Sequence, residues 1–387
     1  MTFESSGTDG RFIRRANISH FRGFKDLILE PLARINLIAG LNNVGKTAVL
    51  EALQLKNMPF NNFMLVLNAP VRNSPNWGFQ PFMRGVEAPW AAWFHRYEVS
   101  QPIEIAITTN NSETSTLRLR NLIDAQEIQE KVAPVLFPGQ PIVDSEVWAF
   151  GAQPHVLELQ VPGKQTSSGF MIPQTTGYII FEQSGQLRVS GALPQATMPA
   201  IYRPSRADGN PNELAQLFGQ LVVQKQVPEL VESLKMMEPR LKDITTVATP
   251  IGAQLYGDIG IGHQMPLKLM GEGTEKLTSL LVDAASARDG LLLIDEIENG
   301  FHYSVLESIW ASLDQATRQS RVQLVATTHS LECIAAAQRY FSRDPGLLPS
   351  GEDFRVFRVE RDGEAVKAIG FTAEELGEAL ELGFEVR

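Results

Sequence analysis

A single cysteine, Cys333, stands among 387 residues. One thiol cannot build an internal disulfide framework, and the count fits a reducing compartment, so a cytoplasmic location is expected. Cys333 falls in a helical pattern after an apolar strand, where a buried structural thiol is expected rather than a reactive one. The sequence has no run of 18 apolar residues, which excludes a membrane-spanning helix. His20, His95, His155, His263 and His302 show no metal-ligand spacing, so zinc is not expected. Internal repeats, low-complexity tracts and heptad runs are all missing, the last excluding coiled-coil arms. Positive charge is in deficit, with a formal net charge of −10, which argues against wholesale coating of nucleic acid. Arg11, Arg14, Arg15, Arg22 and Lys25 still cluster near the start, as either a local basic face or a solvated β-edge. Residues 1–10 are polar and acidic rather than signal-like, and are expected to be disordered.

What is present is the composition of a soluble globular protein, 43% hydrophobic and 20% charged. The length allows two or three average domains, or one large α/β unit with insertions. The most informative stretch is Gly40-Leu41-Asn42-Asn43-Val44-Gly45-Lys46-Thr47, which matches G-x-x-x-x-G-K-[ST]. The apolar strand Ile35–Ala39 precedes it, and a helical pattern from Ala48 to Lys56 follows. A turn in that setting points backbone N–H groups into one concavity at the positive end of a helix dipole. Polyphosphate fits there, with Lys46 reaching the β- and γ-phosphates and the Thr47 hydroxyl able to ligate Mg²⁺. An ordinary glycine-containing βα turn is the alternative, but composition alone yields the octet in about one chain in a hundred of this length.

A second constellation lies about 250 residues later. Leu291-Leu292-Leu293-Ile294-Asp295-Glu296 reads as a strand buried on both faces that ends in two acids. Carboxylates at that edge of a parallel strand lie where doubly wound sheets bind ligands. Asp295 would hold Mg²⁺, and Glu296, pointing elsewhere, would orient or deprotonate an attacking water. Val322–Thr327 is a further buried strand, followed by His329, which either contacts the γ-phosphate or attacking water or caps a helix beside Ser330. Before the acidic strand, Met270-Gly271-Glu272-Gly273-Thr274 opens a helix with Leu277, Leu280, Leu281 and Ala284 on one stripe. That turn is either a second anion site or a plain glycine turn with Thr274 as N-cap.

Around these motifs, strands are predicted at Phe12–Ile18 and Leu27–Leu29, with hairpins at 103–120, 178–189 (turning at Ser184-Gly185) and 354–371. The stretch from 55 to 100 is irregular and aromatic, with Trp77, Trp90, Trp93 and Phe94, and Pro134–Pro173 reads as loop with short strands. Helices near 210–245 predict an inserted helical lobe, about 205–285.

The ordered set resembles the ABC-type ATPase heads of the SMC, RecF and OLD group, filed among AAA-family ATPases. Four segments carry the resemblance: Ile18-Ser19-His20-Phe21-Arg22-Gly23-Phe24; the loop with its Asn42; Met270–Thr274, similar to an ABC signature; and Ile294–His302 with Thr327–Ser330, similar to Walker B, D-loop and switch histidine. The resemblance implies a P-loop NTPase head over about 11–387, with a mixed central sheet and an antiparallel β subdomain beside the lobe. It implies ATP and Mg²⁺ as cofactors. Phosphates would be held by Gly40, Asn42, Asn43, Val44, Gly45, Lys46, Thr47 and Ala48, with Arg22 also touching nucleotide. Lys46, Glu296 and His329 would be catalytic, and Thr47 and Asp295 would hold the metal.

It further implies an ATP-dependent homodimer in which Gly271, Glu272, Gly273 and Thr274 of one copy cover the nucleotide of the other. Gly271 stands where transporter-type signatures carry serine, and losing that hydroxyl implies slow turnover. The acids of a Toprim nuclease are not clustered after Ser330, so nuclease chemistry would come from a separate partner. The implied role is a switch that controls such an effector or acts on DNA, in defence or DNA repair. A non-hydrolysing ATP-dependent scaffold is the alternative. A transporter subunit fits poorly with the long insertions.

Overall fold

Strands buried on both faces carry largely apolar sequence, and three such strands lie together here. A computed structural model describes residues 12–57, 90–136, 154–165, 171–181, 187–192, 196–205, 211–250, 252–343 and 351–386. Its central sheet contains β3 (Ile35–Ala39), β11 (Ala200–Arg203), β15 (Leu291–Ile294), β16 (Gln323–Thr327), β17 (Phe354–Asp362) and β18 (Ala365–Phe371). The order is β11-β15-β16-β3-β17-β18, parallel except for the closing β17–β18 hairpin. Alternate side chains serve two cores. Ile35, Leu37, Leu292, Ile294, Leu324 and Ala326 pack toward the helices. Ile38, Leu291, Leu293 and Val325 pack toward the opposite face.

On that opposite face lies α1 (Lys46–Asn57), with Val49, Leu50 and Leu53 buried. Beyond it stands a seven-stranded antiparallel sheet of β1 (Ile13–Phe21), β2 (Phe24–Leu29), β4 (Ile103–Thr109), β5 (Thr114–Leu122), β6 (His155–Val161), β9 (Thr175–Phe181) and β10 (Leu187–Gly191). Its order is β10-β9-β6-β5-β4-β1-β2, and β7 (Lys164–Gln165) and β8 (Met171–Ile172) pair separately. The helical face holds α5 (Glu272–Ser286), α6 (Leu306–Ser320), α7 (Leu331–Arg343) and α8 (Ala373–Glu381). Helices α3 (Pro211–Val223) and α4 (Val227–Leu234) pack on α5. No helix among the described residues is long and apolar enough to cross a membrane.

Two expectations need correction. The 205–285 segment is not purely helical, because β12 (Asp243–Thr249), β13 (Gly252–Asp258) and β14 (Met265–Pro266) form a small antiparallel sheet within it. The β-branched run Ile244-Thr245-Thr246-Val247 accounts for that choice. Pro134 begins no loop; it lies near the end of α2 (Ala125–Leu136), whose Ile128 and Val132 bury against Val156 and Ile180. The terminal residues 1–10, Arg11, Trp77, Ser184-Gly185 and much of 134–173 lie outside the described residues.

Buried polar groups join the layers. Gln323 Oε1 accepts from Ile13 N at 2.8 Å, and its Nε2 donates to Ile13 O and Ala33 O at 2.8 Å, tying β1 to the central sheet. Arg34, just before β3, donates from Nε to Asp353 Oδ1 at 2.8 Å, from Nη1 to Thr317 Oγ1 at 2.5 Å, and also pairs with Asp314. Arg318 pairs with the same two acids. Breaking a buried pair strands the remaining charge, so Arg34→Ala is expected to cost about 3–5 kcal/mol. A denaturant titration that shows an unchanged midpoint would count against this network.

Candidate nucleotide site

Register decides which strand ends meet. Ile294 pairs with Ala326, and Thr327 pairs with Ile38. The carboxyl ends of β3, β16 and β15 therefore stand side by side, where open parallel sheets bind ligands. The Gly40–Thr47 loop leaves the first, Thr328–Ser330 the second and Asp295–Gly300 the third. Thr47 Oγ1 lies 3.1 and 3.2 Å from the two Asp295 carboxylate oxygens, closing a sequence separation of 248 residues.

The loop between β3 and α1 needs its glycines. Gly40 and Gly45 adopt φ of 150° and 104°, and Asn43 sits at 67°. A Cβ at Gly45 would lie 2.7 Å from the Phe24 ring, and one at Gly40 would lie 2.5 Å from Val359 O. Val44 and Ala48 are buried in the core beneath, whereas Asn42 and Asn43 are exposed. Lys46 Nζ donates to Gly40 O at 2.7 Å and Leu41 O at 2.9 Å. Burial lowers its pKa, while the carboxylates of Glu296, Glu298 and Asp295 oppose that shift.

Asp295 is buried and held by hydroxyls. Thr327 Oγ1 donates to Asp295 Oδ1 at 2.7 Å and accepts from Glu296 N at 2.8 Å. Glu296 occupies the left-handed region, with φ of 50°, an unfavourable state for a glutamate that turns it away from Asp295's direction. Asn299 Nδ2 donates to Glu296 Oε2 at 2.6 Å. His329 is half-exposed, its Nδ1 3.9 Å from Glu296 Oε1 and 3.1 Å from Glu298 Oε1. Glu298 Oε1 also accepts from His329 N at 2.9 Å.

The chain is similar to several known proteins. Residues 189–335 match the family model described as "AAA domain, putative AbiEii toxin, Type IV TA system". An "ATP/GTP phosphatase" of Helicobacter pylori is 21% identical over 332 residues, covering 83% of this chain and 86% of that protein. Uncharacterized protein MJECL11 of Methanocaldococcus jannaschii is 31% identical over 119 residues, covering 30% of this chain and 99% of that protein. Over residues 189–335 the chain is thus similar to AAA-type domains. A solved Smc head domain bound to the C-terminal domain of ScpA, from Pyrococcus furiosus, covers 96% of this chain and 99% of its own, with 11% identity and a TM-score of 0.48.

The signature-like turn stands at the start of α5. Gly271, not Thr274, is the helix N-cap, with φ of 121°. That backbone disfavours any L side chain, which explains why glycine rather than serine stands there. Gly271 and Glu272 are exposed, Gly273 is half-buried, and Thr274 is buried inside the first turn. Arg22 turns to α1, its Nε 2.5 Å from Glu51 Oε2, one turn beyond Thr47. Arg203, at the end of β11, is likewise paired, with Asp283.

Thr327, Glu298, Asn299 and Lys276 complete the site without having been singled out in the sequence. Thr327 carried a faint signal, a hydroxyl ending an apolar strand. Glu298 and Asn299 fall within the D-loop-like segment 294–302 without an assigned role, and Lys276 carried no signal, because its partners are set by tertiary packing. Lys276 donates to the carbonyls of Glu296, Ile297 and Asn299, and burial pulls its pKa down to about 8. Gly45→Ala is expected to destabilise the fold by about 1–3 kcal/mol through positive φ and the Phe24 clash. Differential scanning calorimetry checks this, and an unshifted transition would refute it.

Proposed function

We propose that this chain binds and hydrolyses ATP as a homodimer whose closed state is read by a partner protein. The observation that carries the reading is the contact of Thr47 with Asp295, with Glu296 turned aside next to it. The Gly40–Ala48 segment, including Asn42, Asn43, Val44 and Gly45, cradles the phosphates, and Lys46 binds their terminal oxygens. The Thr47 hydroxyl and the Asp295 carboxylate are hard oxygen donors at a helix start and strand end, a donor set that fits Mg²⁺. Bound Mg²⁺ would supply charge neutralisation and Lewis-acid polarisation of the terminal phosphate. Glu296 accepts a proton from the attacking water as the β–γ bond breaks to release ADP and phosphate. Asn299 holds one oxygen of Glu296, leaving the other toward His329. The name "ATP/GTP phosphatase" of the Helicobacter pylori relative supports turnover.

Support for the dimer comes from the surface. Leu41, Leu269, Tyr303 and Leu331 are exposed large apolar residues, and each lies in or beside one of the site's four motifs. A second copy would cover them, with Gly271, Glu272, Gly273 and Thr274 of its own turn approaching the phosphates. A protein effector is favoured over DNA, because Arg14, Arg15, Arg22 and Arg203 all pair with acids. The toxin–antitoxin wording of the matching family supports a setting in defence.

Lys46→Ala is expected to weaken binding of a fluorescent ATP analogue by about 100-fold or more, the loss of a charge-assisted phosphate contact. Glu296→Gln is expected to keep binding and to trap an ATP-bound dimer in Mg-ATP, measured by size exclusion with light scattering. A monomer there contradicts the sandwich. Undetectable wild-type turnover, with Glu296→Gln without effect, would favour a non-hydrolysing scaffold. Salt-dependent retention of duplex DNA in filter binding would restore DNA as the partner.

A further inference from the structure

Lys276 lies in the second turn of α5, the helix that starts at the Gly271 turn. Its ammonium reaches across to the segment after β15, donating to Glu296 O at 3.4 Å, Ile297 O at 3.3 Å and Asn299 O. It also stands 5.1 Å from the centroid of the Phe301 ring. These carbonyls belong to an irregular turn, so a lysine with three donors satisfies groups that no helix or sheet ladder does. About two helical turns further along α5, Asp283 accepts from Arg203 Nε and Nη2 at 2.5 and 2.6 Å. Arg203 O in turn accepts from Asp295 N at 2.8 Å. A Cβ added at Gly273 would lie 3.4 Å from Gly300 O, so the backbones also approach closely. Helix α5 is therefore tied at two points to the segment that carries Asp295 and Glu296.

We infer that Lys276 is a positioning residue that makes α5 and the 295–300 segment one mechanical unit, linking the two nucleotide sites of the dimer. This rests on the dimer reading above. In that dimer, the Gly271 turn of a chain meets the nucleotide of its partner, while Glu296 of the same chain serves its own. A displacement of the turn by one nucleotide thus reaches the acid at the other through Lys276. Arg203–Asp283 keeps the far end of the helix from pivoting.

The test compares wild type with Lys276→Met and Lys276→Arg, with thermal melting as a check on the fold. In nucleotide-free protein, Lys276→Met is expected to raise amide hydrogen exchange across 296–301 by about 10-fold while leaving the α5 interior unchanged, and Lys276→Arg to restore it. In steady state, Lys276→Met is expected to lower kcat by about 10-fold or more, with affinity for a fluorescent ATP analogue within about threefold. Wild type is expected to show a Hill coefficient above 1 that falls to about 1 in Lys276→Met. If Lys276→Met does not fold, Lys276→Gln carries the same comparison. Unchanged exchange and unchanged kcat in a folded variant overturn the proposal, as does exchange that rises equally throughout the core. A wild type that hydrolyses no ATP would instead defeat the proposed function, and the exchange measurement would still decide the link.

Discussion

The hydroxyl of Thr47 against the carboxylate of Asp295 is the contact on which the rest depends. Neither residue can seek the other locally, since 248 positions separate them. Their meeting is imposed by the order β15-β16-β3 and by a register that aligns the three carboxyl ends. The middle strand contributes Thr327, whose hydroxyl holds Asp295 on one side and the Glu296 amide on the other. A slip in either parallel ladder would separate all three groups together.

That demand explains where the buried polar groups lie. Gln323 and Asn36 sit inside the sheet rather than on its surface. Asn36 Oδ1 accepts from Ala33 N at 2.8 Å, and its Nδ2 donates to Ala33 O at 2.7 Å. Both side chains hold down the segment that enters β3, and Gln323 ties it to β1. Arg34 does the same toward α6 and β17. Unpaired, such groups would each cost more than they contribute, so they specify one arrangement of the layers. The site sits at the seam between two cores, with the glycine loop pinned by Phe24 and Val359 and the acidic turn braced by α5.

Left-handed backbone occurs at the same seam as well as elsewhere in the chain. Asn43 and Glu296 both adopt positive φ, and Gly271 does so at the helix start. Asn299 holds Glu296, and Glu298 holds His329.

Much of this was legible in the sequence, and for a definite reason. β3, β15 and β16 are buried on both faces, so they appear as largely apolar runs, and polar residues follow them at the candidate site. The glycines of the loop and the Asp-Glu pair are recognisable because only those residue types supply the backbone freedom and the charge. The small sheet of β12 and β13 was missed because its strands are half-exposed and sit between helical segments. The sequence alone determined which donors exist: one lysine loop, one acidic pair, one histidine and a glycine turn. Only the tertiary structure decided that Lys276 braces the acidic turn, that Glu298 holds His329, and that Arg22 and Arg203 are already paired. Side-chain partners across hundreds of residues are set by layer packing, which local pattern does not encode.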